Sequence, residues 1–208
     1  MILKIAVLLI IAYLLGSIPS GIWIGKTFFK VDVRQHGSGN IGTTNTFRVL
    51  GPVAGSVVLF MDIAKGSLSA ALPLLFGINF GSIHLTELIF GLCAIIGHTF
   101  SIFDGFKGGK AVATSAGMLL TYNPVLFIMA TLVLIFVLYL SSMVSLASLC
   151  TFIFVSIVAL TIHDYLLATI AIILTIFVFY RHRKNIRRIL NGTENLVHFG
   201  IKYKHQQH

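Results

Sequence analysis

The stretch PVLFIMATLVLIFVLYLSSMVSLASLCTFIFVSIVALTIHDYLLATIAIILTIFVFY covers residues 124–180 and carries one charged side chain, Asp164. The whole chain of 208 residues is 57% hydrophobic and only 10% charged, whereas soluble domains are about 25% charged. A water-soluble fold cannot hide this much apolar surface, so the surrounding solvent is predicted to be a bilayer. Lipid offers the backbone no hydrogen-bond partners, and the apolar runs lack the alternation of barrel strands. The sequence therefore predicts an all-α integral membrane protein with a single domain over residues 1–208.

Six apolar runs have about the 20 residues that cross a bilayer core. They span residues 2–24, 53–76, 85–103, 124–140, 144–162 and 165–180. A seventh run, 111–122, is apolar but short. The first run lacks a small-residue cleavage site, so we expect a retained helix and not a removed signal peptide. Cys93 and Cys150 lie in these runs and are expected to be small buried hydrophobes. The polar tail from Lys204 to His208 is expected to be mobile.

Basic residues predict the orientation. Of fifteen, four lie between Lys26 and Arg48, two are Lys107 and Lys110, and seven lie in residues 181–204. Positive charge concentrates on the cytoplasmic side, so these regions and the C-terminus are predicted to face the cytoplasm, with the N-terminus outside. An even number of crossings must then follow residue 103, which makes run 111–122 the fourth of about seven transmembrane helices. The alternative is six full spans plus a re-entrant segment.

Three polar clusters fall in the predicted cytoplasmic regions, and the first is GSGNIGTTNTFRVLG at residues 37–51. Gly37, Gly39 and Gly42 let successive N–H groups converge on an anion. Arg48 can hold a phosphate with two parallel hydrogen bonds. The short polar donors of this run are Ser38, Asn40, Thr43, Thr44 and Asn45. The alternative is an ordinary glycine-rich loop.

The second cluster is FKGGKAVAT at residues 106–114. Lys107 and Lys110 flank Gly108 and Gly109 just before a predicted helix, and the N-terminus of a helix attracts phosphate. The alternative is a pair of lysines that anchor the chain at the membrane surface, which accounts for the lysines but not for the glycines.

The third cluster, YRHRKNIRRILNGTE, covers residues 180–194. Its cations either bind anionic lipid headgroups or contribute to the same site; they are Arg181, Arg183, Lys184, Arg187 and Arg188. His182 and Asn185 are three residues apart on one helical face and both can donate hydrogen bonds. Glu194 follows a predicted helix stop and is expected to pair with a cation.

A few polar residues lie inside or at the ends of the spans. Asp62 and Lys65 are three residues apart in the second span and are expected to pair, or alternatively to contact substrate. Ser141 and Ser142 are interpreted either as a helix cap or as contributors to the site. His98 ends the third span and is expected to be a structural hydrogen bonder.

Taken together, the clusters resemble the acyl-phosphate-dependent glycerol-3-phosphate acyltransferase family, PlsY. The similarity runs from GSIPSG at 16–21 through the first cluster, DIAKG at 62–66 and the second cluster to residue 194. Members are bacterial inner-membrane enzymes that transfer an acyl chain from acyl-phosphate to the 1-hydroxyl of glycerol 3-phosphate, which yields lysophosphatidic acid for phospholipid synthesis and releases phosphate. The resemblance implies a multi-pass enzyme with its active site facing the cytoplasm and without cofactor or metal. It implies membrane lipids as partners and no nucleic acid, and it is compatible with a soluble partner enzyme that produces the acyl-phosphate.

The residue patterns and the resemblance together predict three groups of site residues. The predicted catalytic residues are Ser38, Arg48, His182 and Asn185. The predicted substrate-binding residues are Gly37, Gly39, Asn40, Thr44, Asn45, Lys107, Gly108, Gly109, Lys110, Ser142 and Arg181. The predicted structural residues are Asp62, Lys65 and Glu194.

The sequence shows no zinc motif, no paired-magnesium aspartate cluster, no serine-hydrolase elbow and no H-x-x-x-x-D dyad. An acyl-phosphate is a mixed anhydride, so we hypothesise that one of its phosphate oxygens accepts the proton of the attacking hydroxyl. His182 as a general base is the competing hypothesis. Two other function classes are an anion transporter, which favours polar residues at mid-membrane depth, and a structural membrane protein with lipid-binding loops.

Overall fold

The computed structural model of the protein describes residues 1–205, apart from the side chains of Ile83, Lys204 and His205. Within that range all regular structure is helical, except for an isolated antiparallel bridge between Ser101 and Lys107. The prediction of an all-α fold is therefore confirmed. The tail was predicted to be mobile from residue 204 on, and its last three residues lie outside the described range.

The chain divides into two compact units, Met1–Pro124 and Val125–His208. Unit 1 contains α1 (Ile2–Ser17), α2 (Ser20–Ile24), α3 (Thr43–Phe76), α4 (Ile83–Thr99) and α5 (Val112–Tyr122). Its connections include a π-helical turn, Gly25–Phe29, and two 3-10 turns, Val33–Gln35 and Ile102–Asp104. Unit 2 holds α6 (Pro124–Ser141, from its second residue on), α7 (Val144–Thr161), α8 (Tyr165–Arg181), α9 (Arg183–Leu190) and α10 (Ile201–His205).

All seven predicted apolar runs are largely helical, with three departures in unit 1. The third run was predicted to reach residue 103, but its helix ends at Thr99 and is followed by the 3-10 turn Ile102–Asp104. The first run is broken before Pro19, whose ring removes a backbone donor, and its two parts are bent by 50°. The second run is longer than predicted, because α3 begins at Thr43, inside the first polar cluster. The helix over 43–50 is separated from the apolar part by Gly51, whose φ of 86° interrupts the helical geometry. The sequence had indicated a loop for this part of the cluster.

Three helices of the described chain are long and apolar enough to cross a membrane alone: α3, α6 and α7. Two bent pairs meet the same test together, Ile2–Ser17 with Ser20–Phe29 and, at 65°, Tyr165–Arg181 with Arg183–Leu190. The shorter α4 and α5 remain as apolar helices below that length.

Helix α5 extends between the two ends of unit 1 although it has only 11 residues, about 16 Å. It starts beside the loop of the second cluster, and its last residue, Tyr122, lies edge-on to His84, with ring centroids 5.2 Å apart. His84 belongs to the first turn of α4, whereas the cluster loop follows the last turn of α4. The number of seven crossings stays a prediction.

Unit 1 is held together by close backbone contacts. Gly66 of α3 packs against the carbonyl of Thr114, and Gly117 of α5 packs against the carbonyl of Ile63. Between α1 and α4 the equivalent contacts come from Gly16 and other small residues. Small residues at such contacts let helices approach closely in lipid, where van der Waals packing replaces the hydrophobic effect.

Unit 2 is built around the packing of α7 on α8. Ser156 and Thr175 form a hydrogen bond of 3.0 Å between these two helices, a means of association that membrane helices commonly use. After α8 the chain bends into α9, with His182 at the junction. The exposed face of α9 carries Arg183, Lys184 and Arg187.

Candidate active site

The loops of the first and second clusters meet at one end of unit 1, around a cleft of about 370 Å³. The residues that line it are Arg34, Ser38, Gly39, Asn40, Ile41, Asp104, Lys107 and Gly108. Five of these were predicted site residues, and the fold brings them together from positions about 70 residues apart in the sequence. The cleft therefore combines backbone turns, a hydroxyl, an amide and two cations.

The loop before α3 has the backbone shape that an anion nest requires. Gly37 and Gly39 adopt φ values of +61° and +70°, which a side chain disfavours. Gly42 differs from the prediction, because its φ of −83° is ordinary and it is the N-cap of α3. Its N–H donates to Oδ1 of Asn40 at 2.8 Å. As at any helix start, the first N–H groups of α3 lack intrahelical carbonyl partners.

Asn45 holds this loop in shape. Its Nδ2 donates to the carbonyls of Val33 (2.9 Å) and His36 (3.1 Å), and its Oδ1 accepts from the N–H of Ser38 (2.8 Å). The side chain is 1% exposed. Both polar ends of Asn45 are thus engaged by the loop, whereas the exposed side chain of Ser38 lines the cleft.

Gly108 and Gly109 have a packing reason that the sequence did not reveal. A methyl group on Gly108 would overlap the carbonyls of His98 and Thr99, and one on Gly109 would overlap the His98 ring. The N–H of Gly109 donates to the carbonyl of His98 at 3.1 Å. The paired glycines therefore let the loop lie directly against the end of α4 and carry Lys107 to the cleft.

Arg34 is a residue of the cleft that the sequence analysis did not single out. Its Nε and Nη2 donate to Asp32 at 2.9 and 2.5 Å, and its Nη1 donates to Asp104 at 2.5 Å. The hydrogen bonds from Arg34 hold the pKa of the Asp32 carboxyl well below its usual range. The only sequence feature that could have indicated this role is an aspartate two residues before the arginine, in a basic loop.

Some predicted residues do not line the cleft within the described chain: Gly37, Thr44, Asn45, Arg48, Gly109 and Lys110. Arg48 is exposed on the second turn of α3, so the structure does not bring its side chain into the group around Ser38. Among residues 1–205 no group of three or more His, Cys, Asp or Glu is placed to hold a metal ion.

Asp62 is the centre of a buried polar group next to the start of α3. Its carboxylate is 2.8 Å from Nζ of Lys65 and accepts from Ser20 (2.9 Å) and Thr43 (3.3 Å). Lys65 also donates to a backbone carbonyl at the break between α1 and α2. His98 lies 3.8 Å away, measured from its Nδ1. The Asp62–Lys65 pair thus connects α2, the start of α3 and the end of α4, and the loops of the cleft adjoin these helices.

In unit 2 the third cluster forms a separate buried group around Glu194. Its carboxylate accepts from Ser145 (2.6 Å), Asn185 (2.7 Å) and Arg188 (2.7 Å). Asn185 also donates to Ser145 at 2.8 Å. Burial alone would raise the pKa of Glu194, but the hydrogen bonds from Arg188, Ser145 and Asn185 outweigh it and hold the pKa below its usual value.

His182 and Ser142 are both buried in unit 2. Nδ1 of His182 is 2.9 Å from the carbonyl of Val178. A carbonyl only accepts, so Nδ1 donates this hydrogen bond. Ser142 is completely buried, and it binds the N–H groups of Val197 (2.8 Å) and Tyr203 (3.0 Å). It therefore anchors the tail, a role that the sequence did not indicate, and Arg181 is half-buried at the end of α8.

Comparisons with known proteins agree over nearly the whole chain. The family profile described as glycerol-3-phosphate acyltransferase matches residues 6–192. A glycerol-3-phosphate acyltransferase of Levilactobacillus brevis is 56% identical over 205 residues, 99% of each chain. The crystal structure of PlsY (YgiH), an integral membrane glycerol 3-phosphate acyltransferase, in its glycerol 3-phosphate form has a TM-score of 0.84 at 36% identity, over 93% of this chain and 96% of that one. Its lysophosphatidic acid form has a TM-score of 0.81 at 35% identity, over 93% and 95%.

Proposed function

This chain belongs to the glycerol-3-phosphate acyltransferase family of integral membrane proteins, and from that premise we propose which donor it uses and how. The family resemblance predicted from the sequence is confirmed. The proposed reaction transfers an acyl chain from an acyl-phosphate to the 1-hydroxyl of glycerol 3-phosphate. We place it at the bacterial inner membrane, with the cleft facing the cytoplasm, where a soluble enzyme can deliver the acyl-phosphate.

The observation that carries the proposal is the cleft of unit 1. Its lining offers the turned backbone at Gly39, the hydroxyl of Ser38 and the cations of Arg34 and Lys107. This set suits a phosphate group. In an acyl-phosphate the phosphate is bonded to the reacting carbonyl, so a phosphate site lies at the reaction centre. Glycerol 3-phosphate carries a phosphate as well, so the cleft fits either reactant, and we favour the acyl-phosphate donor because the family resemblance implies it.

In the proposed step the 1-hydroxyl oxygen of glycerol 3-phosphate attacks the carbonyl carbon of the acyl-phosphate. The bond from that carbon to the phosphate oxygen breaks, and the hydroxyl proton passes to a phosphate oxygen. The products are lysophosphatidic acid and inorganic phosphate. The protein has to hold two polyanions side by side against their repulsion, and cations such as Lys107 stabilise the charge that develops at the carbonyl.

The other predicted catalytic residues remain part of the proposal. Arg48, His182 and Asn185 are proposed to act on substrate because the family resemblance extends to them. His182 as a general base is the competing route. A His182→Gln variant that keeps most of kcat while KM rises would favour proton transfer to phosphate, whereas loss of activity alone would not separate the two routes.

The donor is tested with the purified protein in proteoliposomes. We expect lysophosphatidic acid and phosphate to form in equal amounts from palmitoyl-phosphate and glycerol 3-phosphate. Palmitoyl-CoA and palmitoyl-acyl carrier protein serve as alternative donors at equal concentration. Equal turnover with either thioester would overturn the acyl-phosphate proposal, and uptake of glycerol 3-phosphate without product would favour the transporter alternative.

A further inference from the structure

Arg34 stands in the cleft in an unusual electrostatic setting. Its side chain is 41% exposed, while the two carboxylates that hold it are 12% exposed (Asp32) and 5% exposed (Asp104). Both carboxylates approach from the loops that form the cleft, one from each loop. The guanidinium is therefore fixed from the protein side and faces open space on the other.

The hydrogen bonds of Arg34 leave donors for a ligand. A guanidinium has five N–H groups. Nε and Nη2 each use one on Asp32, and Nη1 uses one on Asp104. One N–H group on Nη1 and one on Nη2 remain for a ligand. N–H groups on Nη1 and Nη2 can donate to the oxygens of one phosphate.

We infer that Arg34 is a further substrate-binding residue, which donates these two hydrogen bonds to a phosphate group seated in the cleft beside Lys107. This inference rests on the proposed function. Asp32 accepts from both Nε and Nη2 and holds the guanidinium in its binding orientation, so little side-chain entropy is lost when the phosphate arrives. Asp104 also lines the cleft, and its negative charge weakens the attraction for the anion.

The competing explanation is that Arg34 only ties two loops together. A pair of variants separates these explanations, because Arg34→Gln and Asp104→Asn both remove the ion pair between the loops. Only the first removes the donors to phosphate, and only the second removes a negative charge from the cleft. A purely structural tie predicts that both variants weaken substrate binding. Phosphate binding by Arg34 predicts opposite changes.

The experiment measures KM for each substrate at saturating concentration of the other, together with inhibition by inorganic phosphate. For Arg34→Gln we expect KM for one phosphate-bearing substrate to rise about tenfold or more, because a hydrogen bond between charged groups is lost. The inhibition constant of phosphate should rise by a similar factor, with kcat changed less. For Asp104→Asn we expect that KM to fall about twofold to fivefold.

The substrate whose KM changes identifies the bound phosphate, either that of glycerol 3-phosphate or that of the acyl-phosphate. Lys30→Gln is the matched control, because it removes one exposed cation from the same region outside the cleft lining. Arg34→Lys keeps the charge but not the paired donors, and it is used if Arg34→Gln does not fold. An intermediate rise in KM is expected for it.

The inference is overturned if Arg34→Gln and Asp104→Asn both raise KM, if Arg34→Gln lowers only kcat, or if Lys30→Gln matches Arg34→Gln. The wild-type assay separates this outcome from failure of the proposed function. If the wild-type protein does not turn over these substrates, calorimetric binding of inorganic phosphate to wild type and Arg34→Gln tests the inference alone. Equal affinity of the two proteins would then overturn it.

Discussion

Ser38 and Asn45 belong to the same polar cluster, but their side chains have different roles. Asn45 turns every polar atom of its amide toward the loop backbone, whereas Ser38 contributes only its backbone N–H and leaves its hydroxyl at the cleft. Sequence alone could not separate them, since both are short polar residues in one run. The difference depends on which side chains of α3 face the loop. That is set by the start of the helix at Thr43, which was not predicted.

This division leads to the first prediction. Asn45→Asp replaces two buried N–H donors with a carboxylate that faces the carbonyls of Val33 and His36, so we expect about 2–4 kcal/mol loss of stability. Ser38→Ala should leave the unfolding temperature unchanged and lower turnover about tenfold or more. Thermal unfolding in detergent and the phosphate-release assay measure the two effects. A large drop in unfolding temperature for Ser38→Ala would contradict the division.

Some of the predicted site residues line the cleft, and a local pattern was enough to select them. Lys107 and Gly39 reach the cleft as expected. The patterns missed Arg34, because one arginine in a basic loop is indistinguishable from a membrane anchor until its partner Asp104, seventy residues later, is placed beside it. Contacts of such sequence separation are set by helix packing and cannot be read from local spacing.

At the scale of helices, apolar composition predicted where most helices lie, but it did not predict the breaks within them. The runs predicted at 124–140, 144–162 and 165–180 differ from the observed helices by one residue at their ends. The helix over 43–50 was missed because its threonines and asparagine have low helix propensity. The hydrogen bonds between Asn45 and the preceding loop fix the start of this helix.

The Asp62–Lys65 pair is expected to act as one unit in joining α2, α3 and α4. Asp62→Asn or Lys65→Met leaves a buried charge without its partner, which costs about 3–5 kcal/mol. The double variant leaves no unpaired charge, so its loss of stability should be smaller than the sum of the two single losses. Unfolding of all four proteins in the same detergent measures this. Strictly additive losses would show that the two residues do not stabilise the fold as a pair.

The Glu194 group predicts how unit 2 responds to acid. The folded-state pKa of Glu194 lies below its unfolded value, which is about 4.3. Its contribution to stability is therefore present above that pH and is lost as the pH falls through the folded pKa. Glu194→Gln cannot titrate there, so the difference in unfolding temperature between wild type and variant should be largest near pH 7 and should shrink below about pH 4. A difference that stays constant down to pH 3 would contradict this assignment.

At the scale of the whole molecule, the distribution of basic residues predicts one orientation in the membrane. Two lysines stood outside the positive-inside pattern, and both have structural partners. Lys4 donates to the carbonyl of Phe76 at 2.7 Å, at the C-terminal end of α3, where a cation is favoured by the helix dipole. Lys65 is paired with Asp62. Their positions therefore say little about orientation, and the remaining thirteen basic residues determine the prediction.

Those thirteen residues predict that the cleft and α9 face the cytoplasm, while the turns before α4 and after α7 face outside. In a background with Cys93 and Cys150 replaced by alanine, single cysteines at exposed positions report the side of the membrane. An impermeant maleimide added to intact cells should label His84→Cys and Thr161→Cys. It should label Gln35→Cys and Lys184→Cys only after permeabilisation, because both lie among the basic residues that are retained inside. If Gln35→Cys and Lys184→Cys were labelled from opposite sides, the first and third clusters could not serve one reaction, and the roles proposed for His182 and Asn185 would fail while the phosphate cleft of unit 1 would stand.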